Sequence, residues 1–293
     1  MDTAEITRRG VHAFSIGAID AFVVSDGVIN VGDAAQVIEG PISDQVAQRL
    51  SENGVSHNPL WLDENCLLLR LDMQWVLFDT GEGTSGFSGP EGGKLIQNLH
   101  KAGVAPDDID HIILTHIHPD HSWGLVDGGG LAAYSKAQIH VSKIEYEFWM
   151  TEGAQADPLR APVPDIVVRG NQASLAPYAD RTHLFADGDC ILPGITVKLT
   201  SGHTPGHCSF LLESDDERLF VLGDVAHQEH LLVRNPDWLF TLDVDPQQSA
   251  RTRRALLDWL VSHDLPILGF HFAYPGLGKI ATMGNGFWFV SEA

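Results

Sequence analysis

Between Thr115 and His121 the chain reads Thr-His-Ile-His-Pro-Asp-His, which places His116, His118, Asp120 and His121 within six residues. Imidazole nitrogen and carboxylate oxygen are the donors that a borderline divalent cation takes. The apolar run His111–Leu114 just before them reads as a strand, so the four lie in the loop that leaves it. In such a loop His116 and His118 can face one ion while Asp120 and His121 turn toward a neighbouring one. Three further candidates occupy equivalent places downstream. His203 follows a strand at Thr196–Thr200, Asp224 follows one at Leu219–Leu222, and His271 follows one at Ile267–Phe270. Side chains from several strand ends can converge on one rim of a sheet, whereas donors scattered through helices have no common rim. Five imidazoles and two carboxylates suffice for two ions that share one carboxylate and one water. With 15 histidines in the chain a few close pairs arise by chance, but this order of spaced donors does not.

The chemistry such a set supports is water activation. Two cations a few ångströms apart lower the pKa of a shared water from about 16 to about neutral. The matching substrate is a small molecule with an electrophilic carbonyl or phosphorus: a carboxylic ester, a lactone or a phosphotriester. Asp120 stands where it can bind one ion and orient the water or take its proton.

The rest of the chain must position these residues. Apolar runs at Ala13–Ile16 and Ile19–Val24, broken by Gly17, read as a strand pair. A short amphipathic helix runs from Ser43 to near Gly54. Strands follow at Cys66–Leu71 and Trp75–Phe78, the second ending in Asp79-Thr80-Gly81, and a glycine-rich loop extends to Gly93. Leu95, Ile96 and Leu99 mark a helix that Gly103 ends. A short strand at Ile139–Val141 precedes a helix from Lys143 to Met150, whose Phe148, Trp149 and Met150 read as a core face. Residues 151–177 show no clear periodicity and read as a long loop or lid. Strands at Thr196–Thr200, Ser209–Glu213 and Leu219–Leu222 come next, then a helix opened by Asp245-Pro246, and Ile267–Phe270 reads as the last core strand. No linker separates the halves. The expectation is one α/β domain over residues 1–293, with two sheets inside and helices outside.

Composition bounds the function. Of the 293 residues 44% are hydrophobic and 19% charged, as in a folded globular protein. Eighteen basic against 39 acidic residues give a net charge of −21. That balance argues against nucleic acid as a partner, since phosphate binding needs clustered Lys and Arg. No stretch approaches the roughly 20 apolar residues of a membrane span, and no apolar run follows Arg8 and Arg9 as in a signal peptide. A cytoplasmic protein is expected. Cys66, Cys190 and Cys208 lack CxxC spacing and are expected to be buried free thiols. The first 30 residues or the central loop could supply a homodimer interface.

Thr115–His121, Gly202-His203-Thr204-Pro205-Gly206-His207, Leu222-Gly223-Asp224 and Phe270-His271 together resemble the metallo-β-lactamase superfamily, from about Asn65 to Val290. The resemblance implies an αββα four-layer sandwich with a dinuclear site at one edge. It implies that His116, His118 and His203 hold a first metal, that Asp120, His121 and His271 hold a second, and that Asp224 bridges them. Two divalent ions are expected, zinc in the first instance, with iron or manganese as alternatives. Val76–Gly81, Lys94–Gly103, Pro106–Asp110 and Phe272–Gly278 resemble more narrowly the methyl parathion hydrolase-like branch, which includes lactone-cleaving members. Members of that branch are often exported, and this N-terminus departs from that pattern. The resemblance also gives Asp79 the role of accepting a histidine N–H behind the metals. His207 is read as either a pocket or a loop residue, and Trp123 as either a pocket or a core residue. His227 and His230 follow Asp224 closely but are read as bystanders, because the metal positions are already filled.

The leading expectation is therefore ester or lactone hydrolysis, with phosphotriesters as a side activity and β-lactams open by fold. A flavin-coupled di-iron oxidoreductase of the same fold resembles a pattern with glutamate where His118 stands. A mononuclear iron sulfur dioxygenase would make less use of His121 and His271. A non-catalytic metal-binding protein is the remaining alternative.

Overall fold

The computed structural model describes residues 10–40, 43–150, 163–284 and 286–292. Its strands, in chain order, are β1 (Val11–Ile16), β2 (Ile19–Asn30), β3 (Ile38–Glu39), β4 (Trp61–Leu71), β5 (Gln74–Phe78), β6 (Ile109–Ile113), β7 (Gln138–Ser142) and β8 (Thr182–Phe185), then β9 (Cys190–Leu192), β10 (Ile195–Leu199), β11 (Cys208–Ser214), β12 (Glu217–Gly223), β13 (Leu239–Phe240), β14 (Pro266–Gly269), β15 (Leu277–Met283) and β16 (Gly286–Ser291). They form two seven-stranded sheets, ordered β1-β2-β4-β5-β6-β7-β8 and β16-β15-β14-β12-β11-β10-β9, while β3 and β13 make a small separate pair.

Side-chain alternation along the strands, with its period of two, sorts the apolar residues into three layers of core. Leu67 and Leu69 of β4, Val76 and Phe78 of β5, Phe210 and Leu212 of β11 and Val221 of β12 fill the space between the sheets. Their neighbours point the other way. Cys66, Leu68 and Leu77 pack outward against Leu95 and Leu99 of the helix Leu95–Lys101 and against Phe148 and Trp149. Phe220, Leu222 and Ile267 pack outward against Leu256, Leu257 and Leu260 of the helix Pro246–His263. The order helix, sheet, sheet, helix is the expected αββα sandwich. The long helix starts as its sequence suggests, with Pro246 in the first turn and the Asp245 carboxylate accepting from Gln248 N–H, and it ends at Asp264 in the left-handed region at φ 48°.

Three expectations need correction. Within the segment read as a loop, Asp165–Leu175 is helical, while residues 151–162 lie outside the described residues. Ile166, Val167, Val168 and Gly170 are poor helix formers, so sequence alone gave little signal. Tertiary contacts hold the helix instead: Trp123 Nε1 donates to Asn171 Oδ1 at 2.8 Å and Gln172 Nε2 donates to the Trp149 carbonyl at 3.0 Å. Ile267–Phe270 is not the last strand, because β15 and β16 extend the second sheet beyond it. Cys66 and Cys208 are buried, but Cys190 sits in the edge strand β9 and is exposed. Among the described residues no helix is long and apolar enough to cross a membrane.

Gly170 has a packing reason. A Cβ there would lie 2.1 Å from the Trp123 ring. In an exposed helix Gly→Ala gains about 1 kcal/mol. Here the sign reverses: Gly170→Ala is expected to cost about 1–3 kcal/mol by overpacking, read as a lower midpoint in urea unfolding. An unchanged or higher midpoint would show that the ring yields freely.

Candidate metal centre

The residues His116 to His121 leave the end of β6 at the rim of the first sheet. The chain then closes into a single helical turn, Pro119–Ser122, which turns Asp120 and His121 back toward His116. His203 lies in the loop beyond β10, Asp224 directly after β12, and His271 two residues after β14. All seven expected donors meet at one place between the sheets' edges. Six of them are buried, and His118 is partly open to a cavity above.

Asp224 Oδ2 is the hub. It lies 3.3 Å from His121 Nε2, 3.3 Å from His203 Nε2, 3.2 Å from His271 Nε2 and 3.9 Å from His116 Nε2. On one side His203 Nε2 stands 3.1 Å from His116 Nε2 and 2.8 Å from His118 Nδ1. On the other, Asp120 Oδ2 lies 3.3 Å from His271 Nε2 and 3.6 Å from His121 Nε2. His116, His118 and His203 thus form one group of converging donor atoms, and Asp120, His121 and His271 a second.

Each ring is aimed by what holds its far nitrogen, which also fixes the tautomer. His121 Nδ1 is 2.9 Å from Asp79 Oδ2, and Asp79 in turn accepts from Thr115 N–H at 2.8 Å. Asp79 therefore stands in its expected place, behind a histidine. Asp79 sits at φ 58°, a left-handed conformation that turns its carboxylate under the loop. His271 Nδ1 lies 2.8 Å from the Asp63 carbonyl, and His116 Nδ1 3.0 Å from Thr115 Oγ1. His203 Nδ1 meets Asp243 Oδ1 at 2.8 Å, and the buried Arg253 guanidinium lies 3.5 Å from the other oxygen of Asp243. His207 is a structural brace: its Nε2 accepts from Asp224 N–H at 2.9 Å while Nδ1 faces Thr200.

Electrostatics divide the cluster. Burial and the neighbouring imidazoles push His116, His118 and His203 well below the usual histidine range, so these rings are neutral donors. Burial also disfavours charge on His271, yet Asp224 and Asp120 raise it to about 10. Burial would raise Asp120 and Asp224, but the facing imidazoles hold both carboxylates below their ordinary range. Several buried polar atoms remain without a hydrogen-bond partner, among them His121 Nε2 and Asp224 Oδ1. Orphaned donors of this kind in a ring of imidazoles and carboxylates fit divalent cations.

The sequence did not reveal three residues of this site. Asp243 lies 40 positions from the histidine it holds and carries no local signal. Glu145 sits on a helix read only as core. Its buried carboxylate accepts from Ile117 N–H, Trp149 Nε1, Thr204 Oγ1 and Gly206 N–H, so it ties the two donor loops together. His227, read as a bystander, is in the cluster, with Nε2 3.2 Å from Asp224 Oδ2. His230 does lie apart, its ring 3.9 Å from Glu229. Trp123 stands behind the cavity wall, its ring packed edge-on against Phe87 at 5.3 Å.

Asp243→Asn should weaken metal binding by about 10- to 100-fold, because the amide cannot hold the His203 ring as the carboxylate does. Competition with a coloured chelator measures this, and an unchanged affinity would show that His203 needs no such support.

A family profile described as the metallo-β-lactamase superfamily matches residues 59–261. An N-acyl homoserine lactonase of Bacillus cereus is 26% identical in a match of 195 aligned positions that covers 60% of this chain and 67% of that relative. Matches to the first few curated relatives span between 55% and 67% of their lengths. Among solved structures, the dizinc quorum-quenching lactonase AidC, in complex with a product, superposes with a TM-score of 0.89 at 26% identity, covering 97% of this chain and 98% of the other. The hydrolase AbOPH superposes with a TM-score of 0.88 at 25% identity over the same shares. The Bacillus cereus relative and these two structural neighbours are lactonase and hydrolase enzymes, and this chain belongs to the metallo-β-lactamase superfamily.

Proposed function

We propose that this chain is a metal-dependent hydrolase that holds two divalent cations, zinc the expected pair, and opens a neutral lactone or ester with an apolar acyl part. The observation that carries the reading is the convergence of His116, His118, His203, Asp120, His121 and His271 around Asp224 at the floor of an apolar cavity. Bound there, the two ions would supply Lewis acidity toward a carbonyl oxygen and acidify a water between them.

The chain's own residues do the rest. Asp120 both touches the donor cluster and lines the cavity, so its carboxylate can orient a water and accept its proton. The cavity is about 460 Å³, a size suited to a small molecule. Ile29, Val31, Leu62, Phe87, Phe240 and Leu242 contribute to its walls and exclude bulk water from the reacting group. No lysine or arginine lines it among the described residues, so away from the metal centre an anionic substrate would find no side-chain countercharge. The strongly acidic chain works in the same direction. The similarity to dizinc and lactone-cleaving proteins supports this choice over phosphotriesters, which stay in the test panel. The second donor group, built from Asp120, His121 and His271, favours it over a mononuclear iron dioxygenase.

The first measurement is elemental analysis of gently purified protein, together with hydrolysis of an acyl-homoserine lactone series, p-nitrophenyl acetate and a phosphotriester before and after chelation. Two equivalents of zinc, and activity lost on chelation and restored by metal, are expected. One iron with no hydrolysis would sink the reading. Within the lactone series kcat/KM should rise by up to about fourfold per added methylene until the cavity is full. Asp120→Asn should lower kcat by about 100-fold or more.

A further inference from the structure

We propose that His227 is an eighth donor of the centre, binding through Nε2 the same ion as His203. The inference rests on the dinuclear reading above and goes beyond the seven residues that reading uses. His227 is buried, lines the cavity and lies with His203 and Asp224 in a third group of converging donor atoms. Its Nε2 stands 3.2 Å from Asp224 Oδ2, as close as His271 and closer than His121 or His203 at 3.3 Å.

The character of that contact decides the matter. At 3.2 Å a hydrogen bond would be ordinary, yet neither ring nitrogen of His227 makes one. His121 Nε2, one of the expected donors, lies 3.3 Å from the same oxygen. Close approach without alignment is what two donors show when both aim at a common third point. Two donors each about 2.0–2.1 Å from one zinc ion lie roughly 3.3 Å apart in a tetrahedron. A histidine retained merely for bulk would bury two polar atoms with no partner, which an apolar side chain in the same slot would avoid.

The ring is located by stacking: Phe240 covers one side at 4.1 Å between centroids with planes 31° apart, and His271 lies 5.4 Å away with planes 21° apart. Four of the expected ligand rings have their far nitrogen held by Asp79, Asp243, Thr115 or the Asp63 carbonyl. His227 Nδ1 has no hydrogen-bond partner.

The test uses the full chain loaded with Co2+. His227→Leu removes the donor, and altered visible cobalt bands with an affinity about tenfold weaker than that of the unmodified chain are expected. Two bound cobalt ions with an unchanged spectrum and affinity overturn the proposal. If circular dichroism shows His227→Leu unfolded, His227→Gln, which keeps a polar side chain of similar length, decides: altered visible cobalt bands and a weaker affinity support the proposal, and an unchanged spectrum and affinity overturn it. An unmodified chain that binds no cobalt overturns the dinuclear reading and this proposal together.

Discussion

A carboxylate buried among imidazoles is the constraint around which the molecule is organised. Asp224 Oδ2 has five imidazole nitrogens within 3.9 Å and almost no access to solvent. An isolated buried charge is very costly in a low-dielectric interior. In the chain by itself the charge is balanced by His121 and His271, whose protonation the carboxylates favour. Divalent cations do the same with charge to spare. The site is therefore stable only as a whole, because removing one partner leaves the others uncompensated.

That constraint explains the effort the fold spends behind the donors. The five imidazoles and two carboxylates come from four separate loops, so their positions depend on the packing between the sheets. Glu145 ties the loop of His116 to the loop of His203 through three hydrogen bonds, from Ile117 N–H, Thr204 Oγ1 and Gly206 N–H. Arg253 donates to the carbonyls of Val225, Pro236 and Trp238 and faces Asp243, which in turn holds His203. A buried guanidinium on the longest helix is thereby connected to a ring in the centre. Gly223 follows the same logic: a Cβ there would come 2.6 Å from His207 Nε2, the atom that accepts from Asp224 N–H.

Much of this was legible in the sequence, and the reason is local. The donors sit at strand ends, the strands alternate apolar and polar faces, and the spacing His-x-His-x-Asp-His survives without any tertiary information. The sandwich and the convergence of all seven residues followed from those patterns. What escaped was non-local. Asp243 and Glu145 are ordinary acidic residues until the fold brings them to a histidine or to two loops. The helix Asp165–Leu175 has β-branched residues and a glycine that its own propensity disfavours, and only Trp123, Trp149 and the core beneath hold it. His227 reads as a bystander in the sequence because seven donors already suffice for two ions, and only the fold shows that its ring reaches Asp224.

The contrast between surface and cavity is the last step. The chain carries 39 acidic residues, yet the walls above the centre are mainly apolar and the only carboxylates that line the cavity are Asp120, Asp224 and Asp243 among the described residues. Of these, Asp120 and Asp224 face the donor rings and Asp243 faces His203 and Arg253, so each has a partner on the protein side. The field a substrate meets inside is thus set by the centre and not by the outer surface. A neutral molecule with an apolar tail gains from the walls, while its polar group is drawn to the floor where the donors converge.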